Sequence, residues 1–159
     1  MTQPGCLFCR IVDGSEPAHV IVDDQHTMAF LDTRPVFVGH ALVVPKAHVG
    51  TLLDLPAELM APLLTTAQRV AAAMPLAVGS TGTFVAMNNV ISQSVAHLHL
   101  HVVPRRKGDG LRGFFWPRQR YAAGQAEQTC QLLPRRAGPD RRLTGVPPGV
   151  GVHSVHGTS

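Results

Sequence analysis

The sequence predicts an α+β domain: an antiparallel sheet with one long helix and a short helix at the N-terminus. Three observations predict it. Five apolar runs of four to six residues are bounded by turn-forming residues, as short strands require. One stretch, 55–74, places Leu59, Leu63, Ala67, Val70 and Met74 at helical spacing. The runs follow one another at hairpin distances, which favours antiparallel pairing over crossovers.

Each element has its own signal. Residues 6–12 read as a short helix. Residues 19–22 and 27–31 read as two strands joined by the turn Asp23-Asp24-Gln25. Residues 34–39 form a loop punctuated by Pro35 and Gly39. Ala41-Leu42-Val43-Val44 is an apolar strand ended by Pro45. The long helix has Pro56 in its first turn, where a missing N–H costs nothing, and Pro62 inside it, where it interrupts the ladder. Residues 83–87 and 98–103 complete the strands. Beyond Tyr121 the text changes to Arg, Gly and Pro, with Arg135-Arg136, Arg141-Arg142 and Pro147-Pro148-Gly149. No helical or strand period persists there. Residues 1–121 are therefore expected to be the folded domain and 122–159 a basic, disordered tail.

Composition narrows the class. A chain of 159 residues suits one domain with a real core. No apolar run of about 18 residues is present, so a membrane span is not expected. The first nine residues lack the basic and apolar regions of a secretory signal, and a cytoplasmic protein is expected. A net charge of +4 suits anionic ligands, but much of it lies in the tail; nucleic acid is not expected as a partner. Cys6 and Cys9 form a C-x-x-C pair while Cys130 stands alone, which points to metal or redox chemistry before a disulfide framework.

The chemistry concentrates at His97, His99 and His101. On a strand, alternate side chains share a face, so three imidazoles line one surface while Leu98, Leu100 and Val102 point into the core. Three readings compete. The row is a solvent-facing strand that happens to carry histidine; or two or three of the rings share a metal ion; or one neutral imidazole acts as a nucleophile that holds a phosphoryl group. Gln93 and Ser94, in the turn before the run, are neutral donors, and His40 beside Gly39 stands at the mouth of another strand. Together these could complete an anion pocket beside the histidine row.

The run Gln93-Ser94-Val95-Ala96-His97-Leu98-His99-Leu100-His101-Val102-Val103-Pro104 closely resembles the signature of the histidine triad family of nucleotide hydrolases and transferases. Phe30-Leu31-Asp32, the block Gly39-His40-Ala41-Leu42-Val43-Val44-Pro45-Lys46-Ala47-His48 and the opening Cys6-Leu7-Phe8-Cys9-Arg10-Ile11 match in family order. The resemblance covers about residues 5–121.

The resemblance implies an enzyme that cleaves nucleoside phosphoramidates or dinucleoside polyphosphates at the α-phosphate. His99 would be the nucleophile, with Nδ1–H oriented by the carbonyl of His97. His101 and His40 would hold phosphate oxygens, and Ser94 and Gln93 would contact the phosphate and assist the leaving group. Asp32 would bind the ribose diol, Phe30 and Ile11 the base, and Asn88 or Asn89 the ribose or phosphate. Relatives that transfer uridylyl groups tend to carry Gln where this chain has His101, so hydrolysis is favoured. Cys6, Cys9, His48 and His97 match the ligands of a structural zinc in a bacterial branch, a closed four-coordinate set. A homodimer and a purine nucleotide substrate are also implied.

The remaining candidates read as ordinary. His19 and His26 are expected at the surface, His153 and His156 in the solvated tail, and Lys46 at a strand edge. Trp116, within Gly113-Phe114-Phe115-Trp116-Pro117, is expected at a dimer interface or capping a neighbouring pocket.

Overall fold

The computed structural model describes residues 3–111 and 119–137; the aromatic segment around Trp116 and both tail histidines lie outside them. The chain divides after Gly113. The first unit contains α1 (Leu7–Val12), β1 (Val20–Asp23), β2 (Thr27–Leu31), β3 (Ala41–Pro45), a 3₁₀ turn (Leu52–Asp54), α2 (Ala57–Val78), β4 (Gly82–Ala86) and β5 (Leu100–Arg105). The second contains α3 (Gln125–Ala137).

The five strands form one antiparallel sheet in the order β1-β2-β3-β5-β4. Its two faces carry separate cores. On one, Ala29, Ala41, Val43, Leu98, Leu100 and Val102 pack against Leu63, Ala67, Val70 and Met74 of α2. On the other, Phe8 of α1 packs with Met28, Phe30, Leu42 and Val44. This explains why residues 41–44 read as an unbroken apolar run: β3 is covered on both sides and every residue of it is buried. Thr27 brings a hydroxyl into the interior, and Thr66 of α2 satisfies it at 2.8 Å.

Helix α2 is longer than its sequence period indicates. It runs through Pro62 and on through Pro75. Each proline removes one ladder hydrogen bond, but the buried stripe of Leu63, Thr66, Ala67, Val70 and Met74 holds the helix against the sheet. The helix ends at Gly79, whose φ of +67° is a left-handed cap that closes the last turn on the carbonyl of Pro75. The Arg106 guanidinium also donates to the carbonyls of Val78 and Gly79 at this C-terminus.

Two sequence expectations change. The strand expected over 98–103 begins only at Leu100, because pairing with β3 starts at Val43↔Leu100 and the N–H of Leu98 instead donates to the Val49 carbonyl at 2.6 Å. Residues 125–137, expected to lack structure, form α3. Gln125, Ala126, Glu127 and Gln128 are all helix-compatible, and the Arg/Gly/Pro bias of the whole tail masked them.

Candidate active site

The site is assembled where β5 emerges on the α1 side of the sheet. His101 sits within the ladder, opposite Leu42 of β3 and Ala86 of β4. His97 lies in a bend just upstream and His99 between it and the strand, and both rings make edge-to-face contacts with Phe8, at 6.0 and 5.2 Å between centroids. The rings of His99 and His101 are 4.9 Å apart. Both His97 and His99 are fully buried.

Hydrogen bonding settles the tautomers. The Nδ1–H of His99 donates to the His97 carbonyl at 2.7 Å, which leaves Nε2 with its lone pair. The Nε2–H of His97 donates to the Pro45 carbonyl at 2.8 Å, so its Nδ1 is the free nitrogen. That atom faces sulfur: it lies 3.5 Å from Cys6 Sγ and 3.6 Å from Cys9 Sγ, while His48 Nδ1 is 3.4 Å from Cys9 Sγ. At His40, Nδ1 accepts from the Val36 N–H at 3.3 Å, and Nε2–H donates to His101 Nδ1 at 3.0 Å. Asp32 stands behind His40, its Oδ2 3.5 Å from Nδ1 and its Oδ1 accepting from the Arg34 N–H.

Burial keeps three of these rings neutral: His101, His97 and His40. It pushes His101 down to about 4, helped by His99 and His40 and opposed by Asp32. Burial likewise depresses His97 to about 4, against the raising effect of the Pro45 carbonyl. His40 is lowered for the same reason, with Asp32 opposing. Neutral imidazoles are the form that ligates metal or attacks phosphorus.

A pocket of about 530 Å³ opens over this array, within the range of small-molecule sites. His99, His101, Asp32, Phe30, Ile11 and Ser94 all border it. Leu7, Phe8, Leu42 and Val95 complete an apolar wall, and Thr33 and Arg34 stand at its rim. Phe8 was legible only as part of the opening block, and nothing in the sequence marks Arg34.

Four expected residues do not border the pocket. His40, expected to hold a phosphate oxygen, has Nδ1 taken by the Val36 N–H and Nε2–H by His101. Gln93 accepts from the Val90 N–H at 2.9 Å and donates to the Gly50 carbonyl at 2.7 Å, so its amide is engaged in fastening the loop. Asn89 accepts from the Leu52 N–H at 2.7 Å, and Asn88 donates to the Ser92 carbonyl. This loop is short and places Val90 and Ser92 at positive φ, a conformation costly for valine, and the side-chain amides hold it there. An ion shared by all three triad histidines is also not formed among the described residues: His97 turns its free nitrogen to the cysteines, away from the pocket.

Two clusters among the described residues could hold a metal, each with its ligand atoms within 4.8 Å of one another: Asp32, His40 and His101, and the sulfur-containing set Cys6, Cys9, His48 and His97. Zinc bonds of about 2.3 Å to sulfur and about 2.0 Å to nitrogen make a tetrahedron with N···S edges of about 3.5 Å. The three N···S separations, 3.4, 3.5 and 3.6 Å, fit that figure.

The HIT domain model matches residues 13–108, three-fifths of the chain. The chain belongs to the HIT family. An uncharacterized HIT-like protein of Mycobacterium tuberculosis is 42% identical over 108 residues, covering 67% of this chain and 75% of that protein. Adenosine 5′-monophosphoramidase HNT1 of Saccharomyces cerevisiae is 34% identical over 117 residues, covering 72% and 71%. Among solved structures, a zinc-bound histidine triad family protein from Mycobacterium smegmatis superposes with a TM-score of 0.65 at 42% identity, covering 68% of this HIT chain and 80% of that one. The HIT match begins at Asp13 and so leaves the Cys6–Cys9 segment outside it.

Proposed function

We propose that this HIT protein hydrolyses nucleotides at the α-phosphorus through a covalent nucleotidyl intermediate on His99. The observation that carries the reading is the single unprotonated nitrogen of His99, with its partner nitrogen fixed by a main-chain carbonyl, beside a nucleotide-sized pocket. The adenosine 5′-monophosphoramidase named among its relatives supports both hydrolysis and a purine nucleotide. An adenylylsulfatase of Arabidopsis thaliana, 32% identical over 111 residues, supports attack at the same phosphorus with another leaving group.

In this reading His99 Nε2 bonds to phosphorus and the bond to the leaving group breaks with its electron pair on the departing atom. His40 donates to His101 Nδ1, so His101 carries its proton on Nε2. That N–H donates a hydrogen bond to a phosphate oxygen, and the departing atom takes its proton from solvent. Water then attacks phosphorus and gives up one proton to solvent, the P–N bond breaks with its electron pair back on His99 Nε2, and the nucleoside monophosphate leaves. Two displacements replace one difficult one, and positioned donors stabilise the charge on the equatorial oxygens. Asp32 receives the ribose hydroxyls, Phe30 and Ile11 flank the base, and Ser94 lies beside the phosphate. Zinc at Cys6, Cys9, His48 and His97 would be structural, tying α1 to the segment that carries His99. A homodimer is proposed on the family resemblance.

The test is rapid quenching with an adenosine phosphoramidate followed by mass spectrometry of His99. A nucleotidyl adduct is expected on the wild type, and His99→Ala should lose roughly four orders of magnitude in turnover while still binding AMP. Near-normal turnover by that variant would refute the assignment. Loss of activity in step with metal removal, in protein that stays folded, would favour catalysis by a bound ion instead.

A further inference from the structure

Among the described residues, the pocket over His99 is bordered by one arginine and no lysine: Arg34, at the rim beside Asp32 and Thr33. Its main chain is constrained on both sides. The N–H donates to Asp32 Oδ1 at 2.8 Å, and Pro35 follows it and narrows the backbone angles open to it. Its side chain is different. Arg34 is exposed, and its guanidinium has no hydrogen-bond or ion-pair partner among the described residues. The other described arginines of the first unit are all engaged: Arg10 with Glu16, Arg69 with Asp24, Arg105 with Asp109, and Arg106 with the carbonyls that end α2.

We infer that Arg34 is a specificity residue that selects nucleotides carrying a second phosphate on the ribose, at the 2′- or 3′-oxygen. This rests on the functional reading above, in which the ribose diol faces Asp32. The α-phosphate end of the pocket belongs to His99, His101 and Ser94. Arg34 is tied through its main chain to the Asp32 carboxylate, so its charge belongs to the ribose edge instead. A carboxylate by itself accepts from two free hydroxyls and repels a phosphate on either. An arginine beside it reverses that preference. The guanidinium fork matches two phosphate oxygens, while the carboxylate keeps the remaining hydroxyl. The same division between an acid and an arginine separates plain from 2′-phosphorylated dinucleotides in other folds. Because Arg34 stands at the rim, the phosphate it meets stays partly in water, and the preference weakens as salt rises.

The test is calorimetric titration at low salt with AMP, adenosine 2′,5′-bisphosphate, adenosine 3′,5′-bisphosphate and diadenosine tetraphosphate. In wild type, one of the two bisphosphates should bind at least about tenfold more tightly than AMP. Arg34→Gln should bring that ratio to about one or below, because Asp32 then meets the added phosphate alone, and Arg34→Lys should keep part of it. A merely structural role for Arg34 would weaken every ligand alike and leave the ratio unchanged, which would overturn the assignment. So would a wild type that binds neither bisphosphate better than AMP, while His99 adduct formation still upheld the functional reading. An Arg34-dependent gain confined to the tetraphosphate would also overturn it, by moving the arginine to the polyphosphate chain. A wild type that bound neither AMP nor either bisphosphate and formed no adduct would overturn both.

Discussion

The histidines are distinguished by what each nitrogen touches. His101 meets His40, His99 and, through His40, Asp32; an unfolded histidine titrates near 6.5 whereas His101 in the fold does so at about 4. Below 6.5 the unfolded chain therefore binds a proton that the folded chain refuses. This contribution to stability is complete above that pH and is lost as pH falls towards 4. The thermal midpoint of zinc-loaded protein should drop across this interval, and His101→Gln should flatten the drop; equal slopes for the two proteins would contradict it. Gln93 presents the opposite case, a residue whose type was legible and whose partners were not. Its amide fastens Val90 and Gly50, so Gln93→Ala should lower stability by about 1–2 kcal/mol in urea unfolding, with KM for the nucleotide changing less than kcat. The signature places Gln93 next to Ser94, but only the shortness of the loop, with Val90 and Ser92 at positive φ, decides that the amide is needed there.

Among the elements, α2 and β5 show where sequence period ends and tertiary contact takes over. The spacing of Leu59, Leu63, Ala67, Val70 and Met74 makes the core of α2 readable, whereas its last turn contains Pro75 and is held by capping at Gly79 and Arg106. Gly79→Ala places a Cβ on a residue at φ +67° and 3.1 Å from Arg106 Nη2. It should cost about 1–2 kcal/mol, measurable by chemical denaturation, without altering nucleotide affinity. The apolar alternation of residues 98–102 likewise reveals the strand but not its first paired residue, since Leu98 bonds to Val49 across a connection between elements far apart in sequence. Helix α3 escaped notice because composition was averaged over a tail in which it occupies only the first third.

For the molecule as a whole, the sheet's two covered faces divide the labour: α2 supplies the larger core, and the opposite face carries the pocket and the cysteines. No helix among the described residues is long and apolar enough to cross a membrane. The pocket side of this division was legible from the histidine run, and Asp32 was expected there only through the resemblance. The Cys6–Cys9 pair pointed to metal or redox chemistry by its spacing, but His48 and His97 joined it only through the resemblance, because most of the sheet separates them from the cysteines in sequence. Purified protein should contain close to one equivalent of zinc by elemental analysis, and Cys9→Ala should lose it and lower the thermal midpoint by several degrees. Less than about half an equivalent in protein never exposed to chelator would remove zinc from the site. His97 joins the two sides by different parts of itself, with its ring committed to the sulfurs and its main chain to His99. Substitution can delete an imidazole but leaves a peptide carbonyl in place. Position 97 can therefore lose the ring nitrogen that faces the sulfurs while the acceptor that orients His99 survives, so mutation can separate the two contacts even though a single residue makes both.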